Sequence, residues 1–226
     1  MSKSSNIRLV VFDCDGTLVD SQHNICAAMG AAFRDTGREA PTDDAIRRIV
    51  GLSLDEAVTA LSPGITESEN HVIRMSYKEN FMLFRKSPEY SEPLYPGIAE
   101  ILRELDGQGF LLGVATGKTQ RGLAATLEHH NLKSTFVTLQ TADDAPGKPH
   151  PGMLEQAMAA VGADRSDTVL IGDTVFDMAM AKNAGTSGIG VSWGYHETGE
   201  LVDAGAHEIV EECGQLFPAV HRLIGA

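Results

Sequence analysis

An α/β fold, a doubly wound parallel sheet interrupted by a helical insert, is what this sequence predicts from three observations. Short apolar runs rich in β-branched residues recur along the chain at 7–12 (IRLVVF), 110–115 (FLLGVA), 136–139 (FVTL) and 168–171 (TVLI), with a shorter one at 189–191 (IGV). Near-continuous apolarity is the mark of strands buried on both faces, as in a parallel sheet. Helical patterns alternate with these runs, and one long stretch, residues 21–87, breaks the alternation.

The helices between strands are read from spacing. Ile98, Ile101, Leu102 and Leu105 recur at helix period before Gly107 and Gly109. Leu123 and Leu127 follow the second run, Met153, Leu154, Ala157 and Val161 the third, and 178–184 the fourth. Strand and helix in strict alternation make a doubly wound domain. In the interrupting stretch no strand pattern stands out; helix-like segments at 25–33, 44–50, 54–61 and 72–84 are punctuated by Pro41 and Ser62-Pro63-Gly64. Asp43 and Asp44 are expected to cap one of these helices. The proline-flanked segment 87–93 reads as the return linker, which gives a core of 1–20 and 88–226 and an insert of 21–87.

At 226 residues the chain accommodates a core of ordinary size plus a smaller appended unit. With 31 acidic against 18 basic residues the net charge is −13, which argues against nucleic acid as a partner, since that affinity rests on clustered Lys and Arg. A phosphate would have to be held locally, by a metal and a few placed donors. Cys14, Cys26 and Cys213 form no CxxC pair and no zinc pattern, and an odd count fits a reducing compartment. Cys14 is read as a small buried residue pointing away from its two Asp neighbours. Neither a signal peptide nor a membrane span is indicated, so a cytoplasmic location without a membrane partner is expected.

The polar residues fall where the strands end. Asp13 and Asp15 follow the first strand, Thr116-Gly117-Lys118 the second, Lys148 lies beyond the third, and Gly172-Asp173 follows the fourth. Ligands of open parallel sheets bind outside the carboxyl ends of the strands, so these clusters should converge. Asp13 and Asp173 together suit a hard, oxygen-seeking ion such as Mg²⁺. The Thr116 hydroxyl, the Gly117 N–H and the Lys148 ammonium suit phosphoryl oxygens. Asp15 is available as an acid/base if its surroundings keep it protonated when a leaving group departs.

Several patterns are decoys. Gly113 to Lys118-Thr119 has one residue too few between its glycines for a P-loop, and Lys118 is expected at the surface or the rim of the site. Gly185, Gly188 and Gly190 are out of order for a dinucleotide fingerprint and read as a helix end and turn. Adjacent His129 and His130 are expected to be solvated helix-end residues, Met153, Met158, Met178 and Met180 core filling, and Arg47 and Arg48 solvent-exposed.

Four segments in order, Asp13-Cys14-Asp15-Gly16-Thr17-Leu18-Val19-Asp20, Thr116-Gly117, Lys148-Pro149 and Gly172-Asp173-Thr174-Val175-Phe176-Asp177, resemble the motifs of the haloacid dehalogenase superfamily. The insert between the first two resembles the α-helical cap of its phosphoglycolate phosphatase-like branch. The resemblance implies a Rossmann-like core with the cap closing over a Mg²⁺-dependent phosphatase site. Asp13 would then form an aspartyl-phosphate. Asp15 would protonate the leaving oxygen and later activate water. Mg²⁺ would be bound by the Asp13 carboxylate, the Asp15 carbonyl and Asp173, with Asp177 acting through water or supporting the ligands.

Asp15 and Asp173 argue against dehalogenase chemistry, and Asp15 against the phosphonate-hydrolysing relatives. Leu54 stands where β-phosphoglucomutase-like mutases carry an Arg in the cap, which favours hydrolysis. Overall resemblance makes 2-phosphoglycolate the expected substrate among small phosphorylated metabolites. Sugar phosphates, pyrophosphate, a mutase reaction and a non-catalytic binding protein are the alternatives.

Overall fold

The computed structural model describes residues 7–225. Among these residues six strands form a single parallel sheet: β1 (Leu9–Phe12), β2 (Leu111–Thr116), β3 (Thr138–Thr141), β4 (Thr168–Gly172), β5 (Ser187–Val191) and β6 (Glu208–Val210). Their order is β3-β2-β1-β4-β5-β6. The order reverses at β1, so β1 and β4, far apart in sequence, lie side by side with Phe12 opposite Ile171.

Alternation along β1 divides the core into two layers. Val10 and Phe12 face a cluster that includes Ile98, Ile101, Leu102 and Leu105 of α5 (Ile98–Gly107), Leu123 and Leu127 of α6 (Gln120–His129), and Val220 of α10 (Leu216–Ile224). Leu9 and Val11 face Met153, Leu154 and Ala157 of α7 (Gly152–Val161) and Met180, Ala181 and Ala184 of α8 (Val175–Ala184). β1 and the helices α5 to α8 lie where the apolar pattern predicts, α10 has no counterpart in that pattern, and the methionines of α7 and α8 are buried filling, as expected. The family of the fold is thus three layers, helices on both faces of a parallel sheet.

The structure departs from the apolar pattern in several details. β3 begins at Thr138 rather than residue 136: Phe136 is buried in the core as the chain enters an edge strand, and Leu139 is 36% exposed. β6 carries only Glu-Ile-Val, too little to read from sequence. The helix expected at 44–50 is α2 (Asp43–Arg47), and its N-cap is Thr42, whose hydroxyl accepts from Ala45 N–H, with Asp43 and Asp44 in its first turn. Gly185 does end a helix, with φ 72°, but Gly188 and Gly190 lie inside β5.

The insert folds around its own apolar cluster. Ile25, Met29 and Phe33 of α1 (Gln22–Asp35) meet Ile46 of α2, Val58 of α3 (Leu54–Leu61) and Ile73 of α4 (Glu67–Arg85). Capping boxes start α3 at Ser53/Glu56 and α4 at Thr66/Glu69. The outgoing and returning chains are pinned together: Asp20 N–H donates to Pro93 O at 2.9 Å, and Tyr95 N–H to Leu18 O at 3.0 Å. α9 (Thr198–Ala204) presents Glu200 to Arg48 of the insert at 2.6 Å, so Arg48 is half-exposed but ion-paired.

Candidate active site

The chain leaves β1 through a tight turn in which Leu18 and Val19 N–H both reach back to Cys14 O. Gly16 holds φ 83° there, and a Cβ in its place would collide with the Asp173 carboxylate and the Tyr195 ring. Strand alternation carries Asp13 away from Cys14, and Cys14 is buried in the same cluster as Val10 and Phe12. Its thiol is pushed well up by burial and by Asp15, which makes it inert packing rather than a nucleophile.

Neighbouring strand ends bring three acids together. Asp13 follows β1, Asp173 follows β4, and Asp177 sits in the first turn of α8; each offers an oxygen within 4.8 Å of the others, and all are buried. Asp173 is held by Thr17, whose hydroxyl donates to Oδ1 at 2.8 Å, and by Tyr195 N–H, which donates to Oδ2 at 2.9 Å. Asp177 accepts the Thr174 hydroxyl at 2.6 Å in the capping box that starts α8. Lys148, fully buried, stands 2.7 Å from Asp13 Oδ1 and 2.6 Å from Asp177 Oδ1.

The electrostatics are those of a dry, over-acidic cluster. Burial pushes Asp13 up to about 7; the Lys148 charge opposes this and Asp177 adds to it. Asp173 is raised by burial and then by Asp13 and Asp177. Lys148 is driven down by burial, but the two carboxylates beside it outweigh that and raise it. Were all three carboxyls ionised, the single ammonium would leave an excess of two negative charges in this buried cluster. Among the described residues Asp13 Oδ2 has no hydrogen-bond partner. An all-oxygen donor set with that excess fits a hard divalent cation, which would relieve the repulsion.

Asp15 faces away from this cluster. Its Oδ1 accepts a very short hydrogen bond from the Ser21 hydroxyl and lies 2.8 Å from Lys118 Nζ. Lys118 is therefore not at the surface: its side chain is 9% exposed, and it is raised well above the usual lysine range because Asp15 and Glu92 outweigh the burial penalty.

Thr116 is buried at the end of β2, its hydroxyl accepting from Lys118 N–H at 3.2 Å. Gly117 lies directly beneath the insert. A Cβ there would stand 2.9 Å from Gly51 O, so only glycine lets the loop before α3 come this close. Sequence reasoning thus named residues that the sheet does bring together at one edge. Thr17, Ser21, Glu92 and Tyr195 were not named among them, and of the two places expected for Lys118 the surface is excluded, since its Nζ lies beside Asp15. Thr17 and Ser21 were within reach, since both flank the first acidic pair. Glu92 and Tyr195 carry no local signal. His130, expected in solvent, is half-buried with Nε2 2.7 Å from Glu92 O.

Known proteins resemble this chain along most of its length. A family model described as "Haloacid dehalogenase-like hydrolase" matches residues 10–191. A Dickeya dadantii protein named "Probable phosphatase IndB" is 38% identical over 219 residues, covering 96% of this chain and 94% of its own length. A Vibrio parahaemolyticus phosphoglycolate phosphatase is 31% identical over 212 residues, covering 92% of each. The crystal structure of a hydrolase from Pseudomonas syringae superposes with a TM-score of 0.84 at 26% identity, covering 96% of this chain and 99% of that one. With its acidic cluster at the β1/β4 edge and a match spanning most of its length, the chain belongs to the haloacid dehalogenase-like hydrolase family.

Proposed function

We propose that the protein is a Mg²⁺-dependent phosphatase that hydrolyses a small phosphomonoester through an aspartyl-phosphate on Asp13, with 2-phosphoglycolate as substrate. The observation that carries this reading is Asp13 itself: a buried carboxylate at the end of β1, oriented by Lys148 on Oδ1, with Oδ2 unpartnered. The Asp13 oxygen attacks phosphorus as the bond to the leaving oxygen breaks, and Asp15 gives that oxygen its proton, releasing an alcohol. Asp15, now a carboxylate, takes a proton from water as the water oxygen attacks phosphorus. The acyl-phosphate P–O bond breaks, giving inorganic phosphate and restoring the Asp13 carboxylate.

Asp13, Asp173 and the Asp15 backbone carbonyl, with Asp177 supporting, would hold Mg²⁺, which would supply positive charge that offsets repulsion between the carboxylates and the phosphoryl oxygens. Lys148, the Thr116 hydroxyl and the Gly117 N–H hold the phosphoryl oxygens. The insert 21–87 acts as the cap that excludes water and reads the leaving group. The substrate rests on the name of the Vibrio relative and on the hydrolytic signal of Leu54 at the start of α3. A cytoplasmic setting goes with this reading, supported by three free, buried cysteines.

Hydrolysis of p-nitrophenyl phosphate in Mg²⁺ and in EDTA tests the class. Turnover should need the metal and vanish in Asp13→Asn; activity retained by that variant overturns the reading. A panel of phosphomonoesters tests the substrate, which is wrong if sugar phosphates or pyrophosphate rank far above 2-phosphoglycolate. Isomerisation primed by a bisphosphate would mark a mutase instead.

A further inference from the structure

Asp15 carries its protein partners on one oxygen. The Ser21 hydroxyl and Lys118 Nζ, at 2.8 Å, both converge on Oδ1, and among the described residues no hydrogen bond reaches Oδ2. Lys118 is itself fixed from behind. Its Nζ lies 3.4 Å from Glu92 Oε1 and 5.6 Å from the centre of the Phe81 ring on α4. Glu92, whose side chain is 1% exposed, accepts the Thr126 hydroxyl of α6 at 3.0 Å and stands 3.4 Å from Arg85 at the end of α4. The chain from Asp15 through Lys118 to Glu92 therefore ends on three separate pieces of structure: α6, α4 and the linker that returns to the sheet.

Burying an ammonium between two carboxylates is a poor route to stability, since desolvation consumes most of the attraction. It does fix geometry: an ammonium with three donors, anchored on one carboxylate, holds the other in a set rotamer. A carboxyl that moves a proton needs one oxygen held and one oxygen free. That is the division seen at Asp15.

We propose that Lys118, anchored by Glu92, is a positioning residue which, together with Ser21, occupies Oδ1 of Asp15 and so presents Oδ2 to the leaving group. The inference rests on the phosphatase reading and on Asp15 as its acid/base, and it gives Lys118 a task apart from gripping phosphate.

Leaving-group dependence tests it, because protonation matters for an alkyl oxygen and little for p-nitrophenolate. The value of kcat/KM, which reports steps through departure of the leaving group, should be measured on 2-phosphoglycolate, or the fastest alkyl phosphate of the panel, and on p-nitrophenyl phosphate. Loss of a positioned acid should cost Lys118→Met roughly 100-fold on the alkyl ester, and at least ~10-fold more than on the p-nitrophenyl ester. Lys118→Arg should recover part of the alkyl activity. Equal losses on the two esters, or no loss on either, overturn the proposal. If Lys118→Met does not fold, Ser21→Ala removes the other Oδ1 donor with a smaller change. It should show the same selective loss, and equal losses there overturn the proposal too. Asp13→Asn in the same assay separates the two readings. If it still turns over, the phosphatase reading fails. If it is dead while the Lys118 and Ser21 variants lose both esters equally, only the positioning role falls.

Discussion

Lys148 is a fully buried ammonium with a carboxylate on either side, Asp13 at 2.7 Å and Asp177 at 2.6 Å. Its replacement by methionine preserves volume and removes the one described cation of the acidic cluster. Breaking a buried ion pair by deleting one partner costs about 3–5 kcal/mol because the remaining charges are left uncompensated. Lys148→Met should lose stability on that scale in urea unfolding measured without divalent ions. Lys118 contrasts with it: both lysines are buried, but Lys148 lies between Asp13 and Asp177 and Lys118 between Asp15 and Glu92.

At the scale of an element, α8 starts at the site and is fixed there from outside. Val175 N–H, the first of that helix, donates to Nδ1 of His196 at 3.2 Å, and the His196 ring meets Phe176 edge-on. Burial lowers the pKa of His196 below the usual 6.5, and Glu200, which pulls the other way, does not restore it. The unfolded chain therefore binds this proton more readily than the folded one. Its contribution to stability is complete above pH 6.5 and is lost as the pH falls below that value. Thermal unfolding followed from pH 7.5 to 5 should show a drop in Tm that is smaller in His196→Gln. An equal drop in the two proteins would assign the acid sensitivity to other groups.

For the whole molecule, a cation held by the acidic cluster would be linked to folding. The acids that would hold the ion come from β1, β4 and α8, so an unfolded chain offers no such cluster. A cation that binds only the native state stabilises it by about 2.7 kcal/mol at 100 times its dissociation constant. Millimolar Mg²⁺ should accordingly raise Tm in the wild type and in Asp15→Asn, whose backbone carbonyl is intact. Asp173→Asn should show little shift; an unchanged shift in that variant would exclude Asp173 as a ligand. Because the readout is unfolding rather than turnover, it does not depend on finding the substrate.

Strands, helices and the acidic pair were legible because each is a local signal. Buried parallel strands are written as unbroken apolar runs, and an Asp at the end of such a run needs a partner to offset its burial. The edges were less legible: β6 is three residues long, and Phe136 packs in the core without belonging to a strand. The fold class and the carboxylates at the strand ends can be read from local pattern alone. How they divide follows from packing: Asp13, Asp173 and Asp177 fall into one cluster, and Asp15 turns toward Ser21 and Lys118. The reason is topological. β4 returns to the side of β1, and the linker carrying Glu92 passes beside α6, so partners distant in the chain, Asp13 with Lys148 and Glu92 with Thr126, meet, and no local pattern records such a meeting.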